Sequence, residues 1–460
     1  PHHGPVLSID EDAGTAVSMR WTGNQILTDG WFLMDLMRAE NVGEARDAFR
    51  MVTTIGQNWT VADRAGNIGW FPYNTVPFRP WASLELPTSL PLPGDGSAEW
   101  EGYFDYDDLP QAFNPAAGFI ANANNDMTGA LHDGNPYNDG YPPLQVDAAP
   151  GYRQARMLEV LEASTEHTVE SMLDLVGDTH SLLGEWITPL LLDAASDAET
   201  LTEAQQRTVD ALTGWDYRCT TGLATGAPDG DVSSDPADAA SSIGCAAFHV
   251  TLGRVWAETF DDNRAVPFED VAYPRLDRAI ELLIRPEIFT TDLSIIWDDL
   301  RTEGVTETRD DILRRALDLA GTWLSNELGD DIDGWRWGRI HTLTLRADLF
   351  DNLGVANYNA GPWATPGGIG TVNVAFPSSI YRHTYAHGSG ASMRFVCELL
   401  PSGPSCTIQL PGGQRHARGD ENYNDLIESW RTNTPTAMRF DIDAVAADAS
   451  ARPIVLRPAP

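Results

Sequence analysis

Apolar and polar positions change period twice along the chain. Through residues 1–150 they alternate in short runs, "TAVSMRW", "QNWTVADRAGNIGWFPY" and "GFIANAN", and one helical pattern, "NVGEARDAFRMV", interrupts them. "NWTVAD" and "NIGWFPY" are joined by Arg64-Ala65-Gly66, which predicts a hairpin with Gly66 at positive φ. From 151 to 350 apolar residues recur at i, i+3 and i+4 in "RQARMLEVLEA", "TVESMLDLVGD", "LLGEWITPLLLDA", "AQQRTVDALTGW", "AFHVTLGRVWAETF" and "RDDILRRALDLAGTWLSNELG". "STEHTVESML" reads as a capped helix start. Across 351–460 strand patterns return in "GTVNVAF", "SMRFVCEL" and "CTIQLPGG", and "ENYNDLIESWR" predicts a last helix. The order strands, helices, strands predicts an α+β layered core with a helical section between strand-rich ends, the helices covering a sheet that the C-terminal part completes.

A length of 460 residues allows about three domain-sized units or one large layered core. The chain has no apolar run of about 18 residues, and "PHHGPVLSID" has no basic start or apolar stretch, so a soluble chain is expected. Acids outnumber bases 67 to 30, every base is arginine, and the net charge of -37 argues against nucleic acid or an anionic membrane as partner.

The four cysteines form two local pairs without C-x-x-C spacing. Cys219 and Cys245 would close a Gly/Ser/Asp/Pro-rich loop, and Cys397 and Cys406 would staple a hairpin. Two disulfides predict a periplasmic or secreted protein; four reduced buried thiols are the alternative.

Standard signatures such as H-E-x-x-H, a P-loop or a G-x-S-x-G elbow are missing. His383 and His387 have i, i+4 spacing, but Gly388 and Gly390 favour turn and surface positions. The tryptophans, as in "GWRWGRI", sit at core spacing rather than along a sugar-binding cleft. "IANANND", residues 120–126, admits two readings. A neutral amide where a strand ends can donate to an oxyanion. A cluster of asparagines also makes Asx turns.

"NWTVADRAGNIGW", Pro77, "PLPGDGSAEWEGY", "NPAAGFIANANND" and "GYRQARMLEVLE" occur in an order that resembles the penicillin acylase family of N-terminal nucleophile hydrolases. "GDTHSLLGEWITPLLL", "WRWGRIHTL", "GGIGTVNVA", "HGSGASMRFVCEL" and "LPGGQ" extend the resemblance from residue 2 to about 440. It implies a four-layer αββα sandwich and hydrolysis of amides such as β-lactams, acyl-homoserine lactones or lipopeptides. It also implies that Asn124 is the oxyanion-hole amide and that Arg153 supports it, with Arg156 a poorer match. Pro77 and Asp139 would contribute to a structural calcium, and no organic cofactor is expected.

The family's nucleophile is a Ser, Thr or Cys whose own α-amine serves as base. This chain begins with Pro1, and "PHHGPVLS" resembles a strand downstream of that nucleophile. The expectation is a companion polypeptide from the same precursor that carries the nucleophile. Rival readings are a scaffold protein that keeps the fold without catalysis, and a secreted glycosidase built on two carboxylates.

Overall fold

A computed structural model describes residues 3–24, 29–54, 56–72, 75–140, 144, 148–262, 276–289, 292–355 and 358–448. Pro1, Tyr73 of the expected strand "NIGWFPY", and residues 141–143 lie outside them. The chain divides into two compact units, Pro1–Gln154 with Leu399–Gly403, and Ala155–Glu398 with Pro404–Pro460.

In the first unit, β1 (Val6–Asp10) and β2 (Thr15–Ser18) form an antiparallel ribbon in which every residue is exposed. Helices α1 (Asp29–Leu36) and α2 (Val42–Phe49) follow, the second capped by Asn41, whose side chain accepts from Glu44 N–H. β3 (Trp59–Ala62) and β4 (Ile68–Phe71) make the predicted hairpin, with Gly66 at φ 86° in its turn. Asp63 fastens the turn by accepting from Ala65 and Asn67 N–H, and it also accepts from Val42 N–H at the start of α2. Phe32, Val42, Phe49, Val52, Phe71 and Tyr106 close the core of this unit. β5 (Ala112–Phe113) pairs with β4 and aims the chain into the asparagine segment.

"GFIANAN" was expected to be a strand, yet residues 118–125 are irregular. The reason is local. Asn122 and Asn125 use their side-chain oxygens on nearby backbone N–H groups, which competes with ladder pairing.

The second unit starts with helices α3 (Tyr152–Glu162, which begins in the first), α4 (Val169–Val176), α5 (Leu182–Ser196), α6 (Glu203–Leu212) and α7 (Pro236–Phe260). α8 (Leu276–Ile284), α9 (Ser294–Trp297), α10 (Arg309–Leu328) and α11 (Trp337–Ile340) follow. Thr168, Thr202 and Thr308 build reciprocal capping boxes at α4, α6 and α10, as the Ser/Thr-x-x-polar pattern requires.

These helices were expected to cover a sheet. α10 packs chiefly on α5, α6 and α7, helix against helix, and meets the sheet through Trp323, whose ring lies 4.9 Å from that of Tyr385. α7 also begins earlier than its apolar pattern suggested. Asp235 caps it and Pro236 occupies its first turn, so residues 236–244, about the last third of the segment between Cys219 and Cys245, are helix rather than loop.

The α6–α10 crossing is close enough to require glycine. A Cβ at Gly321 would lie 2.2 Å from Ala204 O and 2.7 Å from Thr208 Oγ1. Overpacking against a backbone carbonyl costs about 3 kcal/mol, while alanine gains about 1 kcal/mol over glycine inside a helix. Gly321→Ala is therefore expected to lose about 2 kcal/mol in urea unfolding, and an unchanged midpoint would refute the close approach.

β6 (Thr342–Leu345) and α12 (Asp348–Asn352) precede β7 (Ala360–Ala364), β8 (Ala375–Ser379) and β9 (Thr384–Gly390). The sheet order is β7-β6-β9-β8, and only the β6–β9 pair is parallel. β10 (Arg394–Leu400), β11 (Gly403–Gln409) and β12 (Thr436–Ala437) form a second sheet, with α13 (Ile427–Arg431) before β12 and α14 (Ile442–Asp448) after it. "GTVNVAF" becomes strand only from Ala375, and the predicted last helix is confined to α13. Both predicted disulfides are formed, Cys219–Cys245 and Cys397–Cys406.

His383 occupies a turn, at φ 56°. His387 corrects the surface expectation, because it lies in β9 and is buried. Strand alternation turns it inward with Tyr385, and its Nδ1 lies 2.9 Å from Thr365 Oγ1. It closes a row of buried rings. His249 stacks on Trp337 at 4.5 Å, Trp337 on His341 at 4.4 Å, and His341 on His387 at 5.1 Å. Trp335 and Trp337 are wholly buried, in keeping with core tryptophan.

Burial pushes the pKa of His249 and His387 down to about 4 and that of His341 well below its usual value. His249 shows the neutral state geometrically. Its Nε2 accepts from Ile369 N–H, which leaves Nδ1 to donate to Cys245 O.

Candidate active site

Residues 121–126 fold back on themselves around Asn124, which adopts a left-handed φ of 64°. Asparagine tolerates that region better than most side chains. The backbone of the two central residues is fully engaged. Ala123 N–H donates to Asn125 Oδ1 at 2.9 Å, and Asn124 N–H donates to Asn122 Oδ1 at 3.2 Å. Asn124 O accepts from Ala149 N–H at 2.8 Å.

Arg153, in the first turn of α3, supplies the remaining support. Its Nη2 donates to Ala123 O at 2.7 Å and to Asn124 Oδ1 at 3.0 Å. Burial lowers its pKa from the ordinary value. The consequence for Asn124 is directional. With Oδ1 held by a cation, the amide plane is fixed and Nδ2 is presented as a donor. Asn124 itself is exposed, while Asn125 is buried at 3 % exposure.

Asp126 closes the loop. Burial pushes its carboxyl up, but hydrogen bonds from Thr128 Oγ1 and from Thr128 and Leu131 N–H outweigh this and hold it below the usual value. Beside the loop lies a cavity of about 70 Å³ lined in part by Asn58, Trp70, Asn125 and Met127. That is well under the roughly 300–1,000 Å³ of a small-molecule pocket, so it does not by itself make an acyl site.

The sequence expectations divide here. Asn124 and Arg153 are brought together. Arg156 takes other partners, Asp178 at 2.7 Å and Glu159 at 3.1 Å. Pro77 pairs with Tyr103 in an isolated bridge, and Asp139 is exposed. Calcium takes about six to eight oxygens, so one carbonyl and one carboxylate do not hold the ion by themselves. Among the described residues, the one group of three or more His, Cys, Asp or Glu side chains at metal-ligand spacing is Cys219, Cys245 and His249, and both sulfurs are committed to a disulfide. Asn122, Asn125 and Gln154, which donates to Ala121 O at 3.3 Å, were not assigned from sequence. The Asx-turn reading was the signal for the first two.

The fold defines the class of protein first. The whole chain superposes on a thermostable penicillin G acylase from Alcaligenes faecalis with a TM-score of 0.66 and 18 % identity, covering 78 % of that chain, so the mixed α+β fold is that of an acylase. The penicillin amidase family model matches residues 1–447, and the chain belongs to that family of hydrolases. An acyl-homoserine lactone acylase QuiP of Pseudomonas putida is 28 % identical over 441 residues, 93 % of this chain and 50 % of the relative. A second QuiP, from Pseudomonas aeruginosa, is 26 % identical over 427 residues, 87 % of this chain and 46 % of the relative. Penicillin G acylase of Escherichia coli is 30 % identical over 223 residues, 46 % of this chain and 24 % of the relative. The chain thus spans about half the length of the QuiP relatives it matches.

Proposed function

We propose that this chain forms the oxyanion-stabilising part of an acylase that cleaves linear amides through an acyl-enzyme, with the nucleophile on a companion polypeptide of the same precursor. The observation that carries the reading is the Arg153 clamp on Asn124 Oδ1. In this scheme the companion's terminal Ser, Thr or Cys passes its proton to its own α-amine and attacks the amide carbon. Charge gathers on the carbonyl oxygen, and Asn124 Nδ2 donates to it from a fixed direction. The C–N bond then breaks and the amine leaves with the proton. Water attacks the acyl-enzyme, and the same donor serves the second oxyanion.

A neutral amide suits this position because it stabilises the developing charge without attracting the nucleophile in the ground state. The substrate class is an N-acyl amine, since the relatives carry names from both acyl-homoserine lactone and penicillin chemistry. The two disulfides support a periplasmic or secreted location; no described helix is long and apolar enough to cross a membrane.

The β1–β2 ribbon supports the companion. Ser8 pairs with Val17 and Ile9 with Ala16, successive pairs that point to opposite faces, and Val17 is 42 % and Ile9 70 % exposed, so both faces carry uncovered apolar side chains. Cover from a second polypeptide would complete the four-layer αββα sandwich, and its oxygens would add to Pro77 and Asp139 around a structural calcium. Intact-mass, N-terminal and metal analysis of the native particle is expected to find a companion chain that begins with Ser, Thr or Cys, and bound calcium. A native particle made of this chain alone would overturn the assignment.

A further inference from the structure

Three asparagines stand within four residues, and only the middle one has a place in the chemistry proposed above. We infer that Asn125 is a positioning residue, which sets the left-handed backbone of Asn124 and so the direction of its Nδ2 donor. This rests on Asn124 acting in the oxyanion hole.

Asn125 is buried at 3 % exposure, and its side chain spans the turn from inside. Its Oδ1 accepts from Ala123 N–H at 2.9 Å, while its Nδ2 donates to Asp126 O at 3.1 Å and lies 3.6 Å from Met127 Sδ. The amide therefore ties the residue before Asn124 to the residues after it. With Ala123 O and Asn124 Oδ1 on Arg153 and Asn124 O on Ala149 N–H, the unit is held from both sides. Removing the inner acceptor would leave Ala123 N–H buried without its partner and free the peptide between Ala123 and Asn124 to rotate. Arg153 anchors the Asn124 amide at Oδ1, and the backbone dihedral sets where that side chain starts, so both together aim Nδ2.

Asn122 plays a lesser part. It accepts from Asn124 N–H at a longer 3.2 Å and is only half-buried. Asn125 is thus the internal strut and Asn124 the working group.

The test uses the assembled enzyme with acetyl, phenylacetyl and dodecanoyl p-nitroanilides as probes. Asn125→Leu removes the acceptor at similar volume and is expected to lower kcat by about 10- to 100-fold, the range a small misplacement produces, with little change in KM. Asn125→Asp keeps the acceptor and is expected to recover most of the activity. In an Asn124→Ala background, Asn125→Leu is expected to cost nothing further, because it acts only through Asn124.

Additive losses in the double variant, or equal losses in the Leu and Asp variants, would overturn the inference and leave Asn124 in its role. Full activity of Asn124→Ala alone would instead remove the reading beneath it. A crystal structure of Asn125→Leu gives an answer independent of any substrate. Retention of Asn124 at left-handed φ with its Arg153 contact intact would also overturn the proposal.

Discussion

Asn124→Ala is expected to lower kcat by about a hundred- to a thousandfold in the assembled enzyme, the usual cost of losing one oxyanion donor. The side chain is exposed and takes no part in the core, so its removal leaves no cavity. The chemistry and the stability can be separated by a second variant. At φ 64° alanine carries a penalty of about 1–2 kcal/mol that asparagine partly escapes. Asn124→Gly has no such penalty. The two variants should therefore share the kinetic loss while only the alanine form melts lower. Arg153→Lys should fall between them and the parent, because a lysine can satisfy Ala123 O or Asn124 Oδ1 but lacks the planar fork that reaches both. Parent-like turnover on hydrolysed amides in Asn124→Gly would remove the residue from the mechanism.

The second large effect concerns acid. His249, His341 and His387 are neutral in the folded chain, and burial holds the first and last at about 4. Unfolded, each would titrate near 6.5. Between these values the unfolded state binds protons that the folded state does not, so stability rises with pH and falls as pH drops from about 6.5 towards 4. His249 and His387 together make the unfolding free energy about 4 kcal/mol smaller at pH 5 than at pH 7, with His341 acting in the same direction, a large share of the roughly 5–15 kcal/mol typical of a domain. Urea titrations followed by tryptophan emission would measure it. The protonated rings also repel one another along the stack, which makes partial charging unfavourable. His387→Asn should flatten the slope by about a third, and a level profile between pH 7 and 5 would contradict the neutral assignment.

Much of this was legible in the sequence where local chemistry and packing agree. The Gly66 hairpin, the Asn41-capped α2 and the threonine-capped helices follow from side chains that satisfy nearby backbone groups. Asn124 and Arg153 were joined by the resemblance that the ordered motifs carry, since composition and periodicity alone do not link side chains 29 residues apart. The errors came where a short side chain or a distant partner decides. Asn122 and Asn125 convert an apolar run into an irregular loop. β6 has only four residues, β9 ends in Gly388-Ser389-Gly390 where a strand pattern would carry apolar residues, and His387 is inward only because β9 pairs with β6 and β8. The two readings of the asparagine cluster are compatible: the outer amides make turns, and the Nδ2 of the middle one takes no part in them.

The β1–β2 ribbon bears on how such a molecule is made. A two-stranded hairpin is marginal in water on its own, and here its apolar side chains lie open on either face. Its folding is conditional on company. In the assembly proposed above, a cut between this chain and its companion would come after the two have folded as one, so proteolysis would finish biogenesis rather than begin it, and the severed pieces would stay together by the surfaces they buried beforehand.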